Sequence, residues 1–355
     1  MRRFDARSWL GLCLLGAVGC GAPRGGSAGQ SPLPVLANPV APKRIALVGF
    51  DTSAPAVGAM RAGKLQGLVV QNPALMGELG VKTLVAHIEK TKVEPFIDPG
   101  LAIVTPAIMG LPSMAALLDP PQEQNASGAS LSGGRSKRWK IVGIPRGTSH
   151  AFWKAVHAGA RKAADELGTV ELIWQGPARA GDPLQQSQLV RNAVAARVDG
   201  IVLAPADAKA LAGPVEEAAA RGIPVVVIDS PLDSKTPVSS IVTDNHQGGV
   251  IAARRLAELI DREGNIILLR VDPGDASTEA RAKGFSDTIA REFPKITYLS
   301  NTEYAGPTAE SAEKKARSLA TRFGDQIDGI FCPNDTTTEG TLRALDAAGM
   351  LRAWP

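Results

Sequence analysis

From Trp139 onward the chain carries eight short apolar runs: KIVGI, VELIW, GIVLAP, PVVVID, VSSIVTD, NIILLRV, ITYLS and GIFCPND. Each is separated from the next by a stretch with helical patterning. Runs this short and this rich in Val and Ile, alternating with amphipathic segments, predict α/β architecture with parallel sheets built from βαβ units. One intervening segment, HAFWKAVHAGARKAADELG, shows the helical half of the pattern. Phe152, Val156, Ala160, Ala163 and Leu167 recur at spacings of three and four, and Gly168 stands where the helix should end. Eight strands with their crossovers fit two lobes better than one twisted sheet covered on both faces. The Asp244–Asn245 pair, between VSSIVT and the next helix, is the predicted crossing point.

Hydrophobic residues make up 44% of the 355 positions and aromatics only 4%, with charges well mixed. This composition argues against a disordered chain and a membrane-embedded body. The formal net charge of +4 falls to +2 when residues 1–19 are set aside, because Arg2, Arg3 and Arg7 outweigh Asp5 there. Such a balance gives no electrostatic case for a nucleic-acid partner. The first residues, MRRFDARSWLGLCLLGAVGC, combine a basic start, an apolar run too short to span a bilayer, and small residues before Cys20. They predict an export signal over 1–19. A small-residue motif ending in Cys resembles a bacterial lipobox, which implies lipid on Cys20 and a Gly/Pro/Ser-rich tether over 20–42. With Cys13 removed and Cys20 modified, Cys332 is the remaining thiol. Inside GIFCPND it is expected in the core rather than in a disulfide.

The two ends of the pattern do not match. A strand should follow the helix in GTLRALDAAGMLRAWP, while residues 44–106 offer strand, helix, strand, helix, strand ahead of the sheets they would join. Between the blocks, the polar Gly/Ser-rich stretch over 119–138 reads as a linker. At roughly 3.3 Å per residue it reaches about 60 Å. Its Asn125-Ala-Ser sequon is a chance match in a lipoprotein of bacterial type.

Polar side chains stand where apolar strands end: Asp51 after LVGF, Gln71 after LVV, Asp229 after PVVVI, and Asn334 and Asp335 after GIFCP. In open parallel sheets, ligands bind outside the carboxyl ends of the strands. Singly, each has a local alternative: Asp51 or Asp335 as a helix cap, Asp229 in an Asp-Ser-Pro turn, Thr336 with Glu339 as a capping box. Together they favour a shared ligand site. His150, Phe152 and Trp153 join them at the first strand-to-helix handover, and two adjacent rings are conspicuous in a chain with 8 Phe, 5 Trp and 2 Tyr. A flat ring beside carboxylate and amide groups suits a sugar, whose C–H face packs on an aromatic while its hydroxyls need fixed partners. Glu279 and Arg281, at the start of a helix, read as a first-turn acid and a surface base or as site residues. Catalytic and metal readings fail. His87, His150, His157 and His246 fall on no metal-ligand spacing, GxSxG and GxGxxG are absent, GELGVKT is not a phosphate loop, and DPGD lacks the carboxylates of a calcium loop.

These segments resemble the sugar-binding type I periplasmic binding proteins, the ribose-binding protein family of ABC transporters. VVVIDSP, TDNHQGGVIAARRL, EARAKGF, IFCPNDTTTEGTLRALDAAG, LVGFD and GLVVQNPALMGELGVKTL carry the resemblance, over nearly all of 43–355 outside the linker. The order differs, because LVGFD and GLVVQNP come late in the family and first here. The resemblance therefore implies a circular permutant, with the alternative of segment exchange between copies. It implies two Rossmann-like lobes about a three-stranded hinge near residues 72, 99 and 244. The first lobe would comprise 139–244 plus 72–99, and the second 245–355 plus 43–71 plus 100–118. The stacking rings fall on Phe152 and Trp153, with His150 in place of an Asn, and the clamp acids and amides on Asp229, Asn334, Asp51 and Gln71. Three positions depart from the ribose pattern: Ala204 for an Asn, Ser230 for an Arg, and Glu279 for an Arg. The apparent loss of two cations leaves the sugar open, and Tyr304 lies near the family's third aromatic. The implied function is a lipid-anchored, monomeric binding protein in the periplasm or at the cell surface. It would pass a sugar or polyol to an ABC permease and its ATPase, with no catalysis and no cofactor. The alternative is a ligand sensor that signals to a membrane receptor or kinase.

Overall fold

The computed structural model describes residues 44–119 and 138–354, which belong to one compact unit. The export signal, Cys20, the tether and nearly all of the linker lie outside the described residues. In chain order the elements are β1 (Ala46–Phe50), α1 (Ala54–Arg61), β2 (Gly67–Val70), α2 (Pro73–Ile88), β3 (Phe96–Ile97), β4 (Ala102–Val104) and α3 (Pro112–Leu118). After the linker come β5 (Trp139–Ile144), α4 (Ala151–Leu167), β6 (Val170–Trp174), α5 (Pro183–Ala195), β7 (Gly200–Leu203), α6 (Ala212–Ala220), β8 (Val225–Ile228) and β9 (Ser239–Ile241). The last part holds α7 (Asn245–Leu259), β10 (Gly264–Leu268), α8 (Ala276–Glu292), β11 (Ile296–Ser300), α9 (Ala309–Phe323), β12 (Gly329–Phe331) and α10 (Asp335–Ala347).

The strands form two six-stranded sheets, ordered β11-β10-β12-β1-β2-β4 and β3-β9-β8-β7-β5-β6. The front strand β1 is central to the first. It pairs in parallel with β12 (Ala46 opposite Gly329) on one side and with β2 on the other. All five of its residues are buried, and their alternation serves two layers. Leu47 packs with Met60, Ile330, Leu342 and Leu345 on the α1 and α10 side. Ala46, Val48 and Phe50 pack with Leu256, Phe285 and Phe331 under α7 and α8. In the second sheet, α2 brings Met76, Leu84 and Val85 into one core layer with residues of α4. The other layer gathers Val190, Val215 and neighbours from α5 and α6. Cys332 is fully buried, its Sγ 3.2 Å from Thr341 Oγ1.

The helices flanking the site approach backbone to backbone. A Cβ on Gly159 of α4 would lie 1.8 Å from the Ala74 carbonyl oxygen of α2, and one on Gly249 of α7 2.0 Å from that of Arg281 in α8. Both positions therefore demand glycine, and they fix how deep α4 and α8 sit.

Apart from the connection between the two blocks, which leads from β4 to β5, the chain passes between sheets three times: at Gln71–Asn72, over 98–101, and over 242–244. One strand departs from the all-parallel expectation, since β4 runs antiparallel to β2. The reason is local. No helix separates β3 from β4, so the chain enters the first sheet at the end where its other strands finish and can only run back. β3 itself, two residues inside VEPFIDPG, has too little apolar sequence to announce it.

Because β12 and β1 are laterally bonded and Trp354 N donates to Gly63 O at 3.0 Å, the connection between blocks is separable from the packing. A chain reordered as 138–354, a short flexible linker, then 44–118 should unfold cooperatively within a few degrees of the original. Failure of the reordered chain to fold would show that the linker order is itself required.

Candidate ligand-binding site

The carboxyl ends of both sheets face a shared cavity of about 100 Å³, lined by side chains from each. Two carboxylates define it. Asp51 follows β1 with φ 59° and Asp229 follows β8 with φ 67°. This left-handed conformation, which costs a residue with a side chain roughly 1–2 kcal/mol, is tolerated best by Asp and Asn. In both cases the amide N–H still bonds sideways, Asp51 N to Val69 O at 2.8 Å and Asp229 N to Ile241 O at 3.0 Å. The turn therefore aims each carboxylate inward without orphaning the backbone.

Around Asp51 the contacts are dense. Gln71 Nε2 donates to Oδ1 at 2.7 Å, and Arg281 Nη1 lies 3.3 Å from Oδ2. Arg281, 2% exposed, also donates from Nε to Asn245 Oδ1 at 2.8 Å and from Nη1 to Pro333 O at 2.9 Å, with its guanidinium 3.7 Å from the Phe50 ring centre. Burial outweighs the pull of Arg281 and pushes the Asp51 carboxyl up to about 6. Burial likewise raises Asp229, whose carboxylate accepts from Ser230 Oγ at 3.1 Å and which, among the described residues, has no ion-pair partner as close as that of Asp51. Asn334 caps α10, its Oδ1 accepting from Thr337 N at 2.9 Å, so its amide nitrogen is the group left for the cavity.

Contacts also run across the cleft. Arg146 Nη2 donates to Asp275 Oδ2 at 3.0 Å, and Ser230 Oγ lies 3.2 Å from Ser277 Oγ. Burial alone would raise Asp275, yet Arg146 and the Ser277 hydroxyl hold it at about 2. His150 Nδ1 stands 3.7 Å from Asp335 Oδ2, and that contact lifts the imidazole above its ordinary range. The Phe152 and Trp153 rings meet edge to face, centroids 4.9 Å apart, with Trp153 sunk in the core and Phe152 part-exposed beside it.

The structure thus brings together Asp51, His150, Phe152, Trp153, Asp229 and Asn334 around the cavity, with Gln71 one bond behind, on Asp51. It does not bring Glu279, which pairs with Arg270 outside the cavity, where Arg270 also covers Tyr304. The reason is helical phase: Thr278, Arg281, Ala282, Phe285 and Ile289 form the buried stripe of α8, and Glu279 lies off it. The expected shortage of cations is corrected by the same finding, since Arg146 and Arg281 both line the cavity. Arg146 had the strand-end signal, standing just after KIVGI. Asp275, inside the DPGD rejected as a calcium loop, is the N-cap of α8. The local alternatives also resolve, because the caps of α1 and α10 are Ser53 and Asn334 rather than Asp51 and Asp335.

The sign of one pH effect follows. A carboxyl raised in the folded state contributes stability that is complete below about pH 3.8 and is lost as pH rises through about 6. The melting temperature of wild type relative to Asp51→Asn should therefore fall between pH 4 and 7. A difference that stays constant over that range would refute the assignment.

Residues 141–353 match the profile of a family described as a periplasmic binding protein domain. The chain is 30% identical over 199 residues to a D-apiose import binding protein of Actinobacillus succinogenes, covering 56% of this chain and 62% of that one. It is 28% identical over 184 residues to a xylitol-binding protein of Mycolicibacterium smegmatis, 52% of each. The matched region thus spans between half and two thirds of these relatives' lengths. Among solved structures, the periplasmic component of an ABC-type sugar transport system from Hahella chejuensis superposes with a TM-score of 0.57 at 37% identity, over 59% of this chain and 76% of that one. With a profile match over more than half of its length and two sheets opening onto one cleft, the chain belongs to the periplasmic binding protein family.

Proposed function

We propose that the protein is a solute-binding lipoprotein that captures a monosaccharide or related polyol between its lobes and delivers it, chemically unaltered, to the permease and ATPase of an ABC importer. The observation that carries this reading is the convergence of Asp51, Asp229, Asn334 and two guanidinium groups with the Phe152 ring on one small cavity fed by both sheets. Carboxylates accept and guanidinium groups donate, so a polyhydroxylated ligand finds both partners, and the ring offers a face for its C–H groups. The import and polyol-binding names of the relatives support the ligand class. The lobes would be 139–244 plus 72–99 and 245–355 plus 43–71 plus 100–118, moving about the three crossings. A ligand bonded to both lobes favours the closed arrangement that the membrane partner recognises.

The order of the blocks supports circular permutation: the family profile begins at residue 141, while the strand that completes the first sheet comes from the front of the chain. Residues 1–19 would direct export and lipid on Cys20 would hold the protein to a membrane, in the periplasm or at the cell surface.

Titration calorimetry with a monosaccharide and polyol panel tests the site. Asp229→Ala and Asp51→Ala should each weaken the best binder by roughly tenfold to hundredfold, the range for hydrogen bonds to charged groups. Unchanged affinity would reject these residues as ligand contacts. The anchor is tested separately by Cys20→Ser, which should move the protein from the membrane to the soluble fraction. Retention on the membrane would rule out lipidation there.

A further inference from the structure

We infer that His150 and Asp335 form a proton-controlled latch across the cleft, which favours the closed, ligand-holding arrangement when the imidazole is charged and lets the lobes part when it is neutral. The inference rests on the reading of two lobes that close on a ligand, and adds to it a regulation of that same site. His150 follows β5 of the second sheet and directly precedes α4, while Asp335 follows β12 of the first sheet and opens α10. Nδ1 of one and Oδ2 of the other are 3.7 Å apart, and both residues line the cavity.

Neither side chain is taken up by its own helix. His150 is the N-cap residue of α4 but makes no capping hydrogen bond, and Asn334 rather than Asp335 caps α10. Asp335 Oδ1 accepts from Thr336 N at 2.8 Å, which leaves Oδ2 for the imidazole. At that separation the contact is long for a hydrogen bond to a neutral ring but close enough for an ion pair with a charged one. The two side chains are 30% and 17% exposed, so their attraction is screened less than at an open surface.

The neighbouring charges fit this role. Asp335, the strongest influence, and Glu339 of α10 with Glu310 of α9 favour the charged ring and together outweigh its burial. Glu339 and Glu310 are both paired with Arg343, so Asp335 is the acid that His150 meets directly. On its own side, the N-terminus of α4, Arg146 and Lys154 oppose a second cation, but Arg146 is bound to Asp275 and Lys154 is exposed. Deeper in the cavity, Asp51 is paired with Arg281, and Asp229 is the acid that remains among the described lining residues. Closure brings Asp335 to the ring and parting takes it away, so the closed arrangement holds the proton more tightly. By linkage the latch is fully engaged below the ordinary imidazole value of 6.5, and is lost as pH rises through the higher value of the closed form.

The test is a double-mutant cycle on ligand affinity in the full chain, with His150→Gln, Asp335→Asn and the two combined, titrated calorimetrically at about pH 6 and about pH 9. The probe is the tightest binder among D-ribose, D-arabinose, xylitol, D-glucose, D-allose and D-galactose. At the lower pH the two residues should be coupled by roughly threefold to tenfold in affinity, the scale of a partly exposed ion pair, and at the higher pH the coupling should vanish. The titration of Asp51 and Asp229 is common to all four proteins and cancels in the cycle. Coupling that is equal at both pH values, or absent at both, would overturn the latch while leaving the sugar site intact. Small-angle scattering of the chain without added sugar gives a second readout: wild type should be more compact at the lower pH than at the higher, and His150→Gln should show no such change. No binding across the panel would overturn the sugar reading, and equal compactness of wild type at both pH values would then overturn the latch as well.

Discussion

The buried guanidinium of Arg281 is the interaction on which the rest of the site depends. Its plane rests on Phe50, the last residue of β1, and its nitrogens reach Asp51, the Pro333 carbonyl and Asn245 at the third crossing. One side chain from α8 therefore ties together the front strand, the loop after β12 and the passage to the other sheet. A cation this deep requires compensation on every side, and each compensating group belongs to a segment that shapes the cavity. The close approach of α7 and α8 at Gly249 is what allows Arg281 to sit at that depth.

Asp51 and Asp229, the two strand-end acids, show one local solution used twice. Asp51 and Asp229 both follow a fully buried strand, both adopt positive φ, and both keep a lateral backbone bond to the neighbouring strand. Their surroundings then diverge. Asp51 has a guanidinium and an amide, whereas Asp229 has a hydroxyl and a distant share of Arg146. A near-symmetric frame thus holds two acids in unequal surroundings.

Much of this was legible in the chain itself. Val- and Ile-rich runs mark the buried strands, and the strand-end rule points to Asp51, Gln71, Asp229, Asn334 and Asp335, of which Gln71 reaches the cavity only by way of Asp51. What escaped had physical causes. β3 is too short to carry a pattern, and the antiparallel β4 follows from a missing helix rather than from any residue in it. Glu279 and Arg281 stand two residues apart at the start of α8, and only helical phase, which strand ends do not carry, tells the buried one from its neighbour. Asp275 lies in DPGD, whose spacing excludes a calcium loop, but an acid just ahead of a helix is equally a cap and an ion-pair partner.

The pairing of β1 with β12 has a consequence for how the molecule is made. The central strand of one sheet is among the first parts of the described chain to be synthesised, and its partner among the last. At ordinary rates of synthesis these are separated by an interval on the order of tens of seconds. During that interval β1 has only β2 beside it, with two apolar faces uncovered by α7, α8 and α10, and such long-range pairing is slow to form even once the chain is complete. A polypeptide built in this order remains threadable until nearly all of it exists, and its last strand to arrive is the one that closes the ligand site.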